Sequence, residues 1–257
     1  MLADMSGHSD NPAGGRAAAH GLAALWRDAP VRWLKSERPV PYEAAMARMD
    51  ALAAQVAAGA AAECAWLLEH PALITAGTSA RPEDLLNPRA LPVYRSGRGG
   101  QYTWHGPGQR VVYLMLDLRA RGRDVRAYVA ALEQWIIDTL ADFGVRAWRD
   151  DELVGVWTRT ANGDMAKIAA IGVRVSRGVT RHGVALNVCP DLSWAHEVIV
   201  PCGVRGHGVT SLHALGLTQV SMAEVDAALK RHFTRLFGPA LREENMEPVQ
   251  GQASTKA

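Results

Sequence analysis

Residues 168–188, IAAIGVRVSRGVTRHGVALNV, decide the fold class of this 257-residue chain. The segments 168–175 and 184–188 are rich in Val and Ile and are punctuated by glycine, which is typical of β-strands. Further strands are predicted elsewhere, at residues 63–70, 111–116 and 153–157. Strands therefore concentrate in the middle of the sequence, which favours a sheet as the centre of the fold.

Three helices are predicted from their start and stop signals. Pro41 suits the start of a helix whose apolar residues follow near helical spacing. Asp124 is suited to cap a second helix, which Gly144 ends. Ser221 and Glu224 form a capping-box pattern that opens a third, strongly periodic helix.

This distribution predicts an α+β fold with a single domain, in which helices flank a mixed β-sheet. No βαβ unit recurs and no GxGxxG sequence opens a helix after a strand, so a Rossmann domain is disfavoured. Residues 1–19 lack hydrophobic periodicity and are predicted to form a disordered leader. The domain is expected to span residues 20–242, followed by a polar tail over residues 243–257.

The composition argues against several classes of function. A formal net charge of +2 gives no bulk electrostatic basis for binding nucleic acid or a membrane. The sequence contains no apolar signal region near its start and no run of eighteen apolar residues, so neither a secretory signal nor a membrane span is predicted. Three cysteines make a poor disulfide framework and favour a reducing, cytoplasmic environment. The chain is expected to be a monomer without a metal or other cofactor, because no ligand-spaced cluster and no interface stripe is evident.

The segment Gly97–Gln109, GRGGQYTWHGPGQ, is the densest in unusual composition. Its glycines and proline exclude a regular helix or a central strand, and they allow the backbone to approach a ligand closely. A surface loop is the alternative, but a solvated loop has no need of Tyr102, Trp104 and His105 between glycines. The pattern predicts a binding segment, and the absence of the Walker Lys-Ser/Thr argues against a nucleotide.

Cys202 is the candidate nucleophile. It lies between a proline and a glycine, on a predicted turn that can present its thiol to a cleft. Cys64 and Cys189 lie in apolar, strand-like surroundings and are predicted to be core residues. Composition alone leaves Cys202 open between a nucleophile and a core residue.

Lys167 is the candidate proton-handling residue. It begins an apolar strand in a chain that carries most of its positive charge on arginine, and a desolvated lysine has a movable pKa. A lysine that protects a strand against aggregation is the alternative. Gly183 and Ala185 are small residues that leave space along one face of a strand, for a ligand or a packed neighbour. His182 is either a base or a structural residue.

These segments together resemble the octanoyltransferases of lipoate biosynthesis. Residues 98–109 are similar to the RGGQxTxHGPGQ signature of that family. Its later motifs are matched in order by residues 167–172 (KIAAIG), 182–187 (HGVALN) and 201–203 (PCG). The resemblance runs from about residue 69 to residue 212, and it implies the biotin/lipoate protein ligase fold and a catalytic domain over residues 20–242.

The resemblance also implies a reaction. Cys202 would accept an octanoyl group from octanoyl-acyl carrier protein as a thioester and pass it to a lysine of a lipoyl domain. The acceptors would be the lipoyl domains of 2-oxoacid dehydrogenase E2 subunits and the glycine cleavage H protein. Lys167 would lower the thiol pKa and then handle the amine proton. The residues implied to bind the acyl substrate are Arg98, Gly99, Gly100, Gln101, Tyr102, Thr103, Trp104, His105, Ala170, Ile171, Gly172, Gly183, Val184 and Ala185.

Two segments depart from the family pattern, and two other functions compete with this one. Residues 158–165 make a longer and more polar approach to Lys167, and residues 193–197 lack the aromatic-Ser-Gly pattern. An ATP-dependent lipoate or biotin ligase would need no cysteine. A non-catalytic protein that binds acyl carrier or lipoyl domains would form no acyl adduct.

Overall fold

The computed structural model describes residues 25–200 and 207–247, apart from the side chains of residues 194–196. The helices are α1 (Tyr42–Ala57), α2 (Val125–Ala141), α3 (Ser193–Val198) and α4 (Met222–Phe237). The first six strands are β1 (Val31–Lys35), β2 (Cys64–Leu68), β3 (Leu73–Ala76), β4 (Val93–Arg95), β5 (Tyr102–His105) and β6 (Gln109–Met115). The others are β7 (Ala147–Arg149), β8 (Val156–Arg159), β9 (Met165–Ser176), β10 (Val179–Asn187), β11 (Gly208–Val209) and β12 (Ala240–Asn245).

The main sheet has the strand order β12-β1-β2-β6-β10-β9-β8-β7, and β11 pairs with β9. Strand β1 runs parallel to both β2 and β12, and β9 runs parallel to β11, whereas the other neighbours are antiparallel. A second sheet has the order β4-β3-β5. The α+β fold with a mixed sheet is therefore confirmed.

Helices cover both faces of the main sheet. Alternate residues of β2 point to opposite faces, as the pleat requires. Ala65 and Leu67 pack in one core with α2 and α4, and Trp66 and Leu68 pack in a second core with α1. Because β2 is buried on both faces, its sequence is a continuous apolar run without alternation.

The predicted helix starts are confirmed. The Asp124 side chain accepts hydrogen bonds from the amides of Arg126 and Ala127, at 2.9 and 3.0 Å. Both hydrogen bonds of the Ser221–Glu224 capping box are present. Within the described residues, no helix is long and apolar enough to cross a membrane.

Several strand boundaries differ from the sequence predictions. Strands β9 and β10 begin at Met165 and Val179, earlier than the predicted residues 168 and 184. Strand β8 begins at Val156 instead of residue 153, because the Gly155 amide donates to the side chain of Glu133 (3.0 Å) instead of to a neighbouring strand. Strand β12 extends to Asn245, so residues 243–245 of the predicted tail belong to the sheet. This edge strand pairs with β1 through its backbone and leaves Glu243 and Glu244 exposed, so its sequence lacks an apolar signal.

Candidate active site

Lys167 is buried within the main sheet. It lies on β9, paired in register with Trp157 of β8 on one side and with Val209 of β11 on the other. The side chain is only 5% exposed, and its Nζ donates a hydrogen bond to the carbonyl oxygen of Val154 at 2.8 Å. The Nζ atom also lies 4.6 Å from the centre of the Trp157 ring, a cation–π distance. A carbonyl oxygen and an aromatic face therefore both contact the end of the Lys167 side chain.

Three adjoining cavities surround this region, and all are lined by Thr103 and Ala170. The outer cavity, of about 320 Å³, lies between the Gly-rich segment and residues 152–154 and is lined by Lys167. The Lys167 cavity is bounded by Trp104, Ile199 and other residues, and the inner cavity lies deeper, beside His105 and His182. The Lys167 cavity and the inner cavity are small, at about 40 and 30 Å³, and both polar and apolar side chains line them.

The structure brings all the predicted substrate-binding residues to these cavities. The outer cavity is lined by Arg98, Gly99, Gly100, Gln101, Thr103, Ala170, Ile171 and Gly172. The Lys167 cavity adds Tyr102, Trp104 and Ala185, and the inner cavity adds His105, Gly183 and Val184. Their roles in binding stay a prediction.

The Gly-rich segment is fastened to two sheets. Residues 102–105 form β5, an edge strand of the second sheet, which agrees with the exclusion of a central strand. The Arg98 guanidinium donates to both the carbonyl and the hydroxyl of Thr75, at 3.0 and 2.7 Å. The Gly99 amide donates to the Val173 carbonyl of β9 at 3.1 Å. A Cβ atom on Gly172 would lie 2.7 Å from Cδ of Arg98, so glycine there leaves the path that the arginine follows.

The small residues of β9 and β10 face each other in register. Gly183 pairs with Gly172, and Ala185 pairs with Ala170. A Cβ atom on Gly183 would overlap the carbonyl of Val112 in β6. The small residue at Gly183 therefore makes room for the backbone of β6. The small side chains of Ala170 and Ala185 instead border the cavities.

A chain of hydrogen bonds links the second sheet to Lys167. Thr75 Oγ1 and His105 Nε2 lie 3.2 Å apart, and His105 Nδ1 lies 2.7 Å from Gln109 Oε1. Gln109 Nε2 donates to Asn187 Oδ1 at 2.9 Å. The Asn187 amide donates to the carbonyl of Thr210, whose amide donates to the Lys167 carbonyl. Sequence reasoning assigned no role to Gln109 and Asn187, although both end motifs that carry the resemblance.

His105 and His182 line the inner cavity, His70 packs against His105, and burial makes all three neutral. Desolvation lowers the pKa of His105 and of His182 to about 3, and that of His70 to about 4. His70 Nε2 lies 2.7 Å from the hydroxyl of Tyr113, and its Nδ1 lies 2.7 Å from the carbonyl of Val40. Within the described residues, no group of three His, Cys, Asp or Glu side chains is placed to hold a metal ion.

The cysteines divide differently from the prediction. Cys64 is buried, as predicted, and burial raises the pKa of its thiol to about 12. The prediction for Cys189 is wrong, because this thiol is exposed. Strand β10 ends at Asn187, and the amides of residues 188 and 189 both donate to the carbonyl of Gly108, which turns the chain out of the sheet. Cys202 lies outside the described residues.

Comparisons with known proteins agree with this geometry. The family model of the lipoyl protein ligase A/B catalytic domain matches residues 41–234. An octanoyltransferase of Paramagnetospirillum magneticum is 57% identical over 209 residues, which cover 81% of this chain and 98% of the relative. An octanoyltransferase of Caulobacter vibrioides is 56% identical over 214 residues, covering 82% of this chain and 94% of the relative.

A solved structure shares the fold. The bi-partite lipoate protein ligase of Thermoplasma acidophilum superposes with a TM-score of 0.63, covering 86% of this chain and 89% of its own. Its sequence is 17% identical, so this likeness shows the fold alone. The sequence relatives carry the functional assignment. The chain therefore belongs to the lipoyl protein ligase A/B catalytic domain family and, within it, to the octanoyltransferases, the acyltransferases of lipoate biosynthesis.

Proposed function

We propose that the protein transfers an octanoyl group from octanoyl-acyl carrier protein to a lysine of a lipoyl domain, through a thioester on Cys202. The observation that carries this proposal is the buried ammonium of Lys167 at the meeting point of narrow cavities. An ammonium in this position can stabilise a thiolate and donate a proton, and the amine that remains can accept a proton next to the acyl carbonyl.

The described neighbours of the Cys202 segment support the assignment of the thiol. Ile199 and Val209, on either side of that segment, both line the Lys167 cavity. Cys202 is three positions after Ile199 in the chain, and an extended backbone spans at most about 3.6 Å per residue. This covalent limit, of about 11 Å between the two Cα atoms, is compatible with a thiol that reaches Lys167.

The reaction proceeds in two balanced steps. The Cys202 thiolate attacks the octanoyl carbonyl, the bond from this carbonyl to the carrier's sulfur breaks, and the carrier leaves as a thiol after taking a proton from the Lys167 ammonium. The acceptor lysine then attacks the Cys202 thioester, a C–N bond forms, and the C–S bond to Cys202 breaks. Lys167, left as a neutral amine by the first step, takes the proton that the acceptor amine loses, and this restores the Lys167 ammonium and the Cys202 thiolate. The amide product makes the second step favourable.

The acyl chain is proposed to extend from the outer cavity toward the inner cavity, past Thr103 and Ala170, which line both. Burying a chain there stabilises the complex by about 0.8 kcal/mol per methylene. The histidines at the inner end are neutral, and the Arg98 guanidinium that also lines this cavity donates its hydrogen bonds to Thr75. The carboxyl end of the chain then lies toward Lys167, where the thioester must form.

Intact-mass measurement of the full chain after incubation with octanoyl-acyl carrier protein tests this proposal. We expect the mass to rise by one octanoyl group, and peptide analysis to locate the group on Cys202. Cys202→Ala should abolish both the adduct and transfer to a lipoyl domain or to the glycine cleavage H protein. Cys189→Ala, at the exposed cysteine, is the matched control and should retain both.

Other outcomes would overturn the proposal. Transfer from octanoyl-acyl carrier protein by the Cys202→Ala variant would exclude the covalent intermediate. Modification of the lipoyl domain from free octanoate and ATP, without a carrier, would indicate a ligase instead. Absence of both adduct and transfer in the unaltered protein would indicate a non-catalytic binding protein.

A further inference from the structure

Glu133 is a buried carboxylate on a helix that otherwise contributes apolar side chains to the core. It lies on α2 beside the core residue Leu132 and is only 6% exposed. Burying a carboxylate is costly unless hydrogen bonds or charges compensate it. Burial raises the pKa of Glu133, while the hydrogen bond from Gly155 and the charges of Arg149 and Lys167 lower it. The hydrogen bond and the two positive charges therefore offset part of the cost of burying the Glu133 carboxylate.

A single peptide group connects Glu133 to Lys167. The Gly155 amide donates to Glu133 Oε1 at 3.0 Å. The carbonyl oxygen of the same peptide unit, that of Val154, accepts from Lys167 Nζ at 2.8 Å. Two hydrogen bonds through one peptide group thus link the Glu133 carboxylate to the Lys167 ammonium. The carboxylate polarises this peptide group and makes its carbonyl a stronger acceptor.

The β-ladder does not hold this peptide group. Strand β8 begins only at Val156, and its pairing with β9 shifts register between Val156 and Trp157. The Gly155 amide has its partner in the Glu133 carboxylate. Without that carboxylate, the Val154 carbonyl would lose the contact that orients it toward Lys167.

Gly155 brings this peptide directly against the lysine. A Cβ atom at this position would lie 2.8 Å from the Ala169 carbonyl and 3.1 Å from Cε of Lys167. The backbone φ of +128° is also one that residues with side chains rarely adopt. Close packing of a glycine on the lysine side chain makes the position of Lys167 depend on the position of this turn.

We propose that Glu133 is a positioning residue for Lys167 and acts through the Val154–Gly155 peptide group. By holding the Gly155 amide, it fixes the Val154 carbonyl, which in turn fixes the lysine ammonium at the cavities. Glu133 does not itself line the three cavities described above, so it acts on the reaction through Lys167 alone. The inference rests on the proposed function only in the use of acyl transfer as one of its two measurements.

Two substitutions separate the hydrogen bond from the charge. Glu133→Gln keeps an acceptor oxygen at the same reach and removes the charge. Glu133→Asp keeps the charge and withdraws the acceptor by one methylene, and Glu133→Ala removes both. Asp138→Asn, five residues further along α2, is the control, because the Asp138 carboxylate accepts from Gln134 and has no hydrogen bond to the Val154–Gly155 peptide group.

The first measurement is the single-turnover rate of Cys202 acylation at saturating octanoyl-acyl carrier protein, with thermal unfolding recorded for each variant. We expect Glu133→Asp and Glu133→Ala to lower this rate about tenfold or more with an unchanged KM, since displacing a catalytic group by about 1 Å is costly. Glu133→Gln should restore the rate to within about threefold of the unaltered protein. In a Lys167→Ala background, the Glu133 substitutions should have no further effect.

The second measurement does not depend on acyl transfer. Reductive methylation with formaldehyde and cyanoborohydride, followed at the Lys167 peptide by mass spectrometry, reports how firmly the amine is held. Glu133→Asp and Glu133→Ala should increase labelling of Lys167 severalfold, whereas Glu133→Gln and Asp138→Asn should not. If the unaltered protein forms no acyl adduct, the proposed function fails, and this labelling still decides the role of Glu133.

Three results would overturn the inference. One is a rate loss in Glu133→Gln as large as in Glu133→Ala, which would mean that the charge matters and the hydrogen bond does not. Another is a Glu133→Ala substitution that lowers the acylation rate by the same factor in the Lys167→Ala background as in the unaltered protein. The third is unchanged Lys167 labelling in Glu133→Asp, a variant that keeps the decision possible if Glu133→Ala does not fold.

Discussion

At the scale of single residues, the histidines around the inner cavity combine burial with neutrality. His182 also has a left-handed backbone, with φ of +59°, next to Gly183. Non-glycine residues adopt this conformation rarely, and asparagine and histidine tolerate it better than most. His182 lies next to the first residue of β10 that is paired with both β6 and β9, beside the inner cavity. Packing of the sheet therefore holds a residue with an unfavourable backbone conformation and an uncharged side chain at the wall of the inner cavity.

These histidines predict a stability loss in mild acid. Burial holds the pKa of His182 at about 3, below its ordinary value of 6.5, so between these pH values the unfolded chain binds a proton that the folded chain does not. Above pH 6.5 His182 is neutral in both states and does not change the free energy of unfolding. As the pH falls from 6.5 toward 3, protonation of His182 in the unfolded chain lowers this free energy. His182→Asn keeps a residue suited to the left-handed conformation and removes the titration. We expect its urea unfolding free energy to fall less steeply between pH 6.5 and 5, by up to about 1.4 kcal/mol per pH unit.

Parallel pH profiles for the two proteins would contradict this expectation. Tyr113→Phe is a useful control, because it removes the hydroxyl beside His70 without removing a histidine. It should lower stability at all these pH values and leave the slope close to that of the unaltered protein.

At the scale of elements, local sequence sets where α4 begins. Ser221 accepts from the Glu224 amide, and the Glu224 carboxylate accepts from the Ser221 amide at 2.9 Å. One side of α4 packs its Val225, Leu229 and Phe233 side chains in the core. The cap therefore determines the register in which this apolar face meets the sheet.

Ser221→Ala should lower the urea unfolding free energy by about 1 kcal/mol, because free amides remain at the helix start. The control is Thr234→Ala in the same helix, where an exposed hydroxyl donates to the Lys230 carbonyl. Its change should stay within about 0.5 kcal/mol. A loss of equal size in both variants would show that the cap has no special role.

At the scale of the whole molecule, Arg121 joins distant parts of the chain. Its guanidinium is fully buried and pairs with the Glu63 carboxylate at 2.5 Å. The same side chain donates to the carbonyl of Leu25 and, at 2.6 Å, to that of Phe237. Residues from the start, middle and end of the described chain thus meet at one cation, whose burial is compensated by these acceptors.

Arg121→Met should lower the unfolding free energy by about 3–5 kcal/mol, since it leaves a buried carboxylate without its partner. Arg119→Met is the matched control, because Arg119 pairs with Asp117 at 2.7 Å on the surface. That substitution should cost less than about 1 kcal/mol. Similar losses in the two variants would contradict the dependence on burial.

Local sequence determined much of this protein. The caps at Asp124 and Ser221 depend on contacts within a few residues, so they are visible in the sequence and the structure confirms them. Apolar composition predicted the central strands, because burial on both faces demands it. The ordered motifs around Arg98, Lys167 and Gly183 were sufficient to indicate the family, since binding chemistry requires particular residue types at those positions.

Contacts between distant residues were decided only by the tertiary structure. Glu133, Gly155 and Lys167 belong to three separate elements, and no local pattern links a helical glutamate to a turn and a strand lysine. Strand β12 is polar, and its pairing with β1 is a backbone contact that side-chain composition does not report. Cys189 is exposed because the chain turns toward Gly108, a contact formed across the sheet. Sequence patterns report interactions between residues that are close along the chain, whereas these features depend on which distant segments folding brings together.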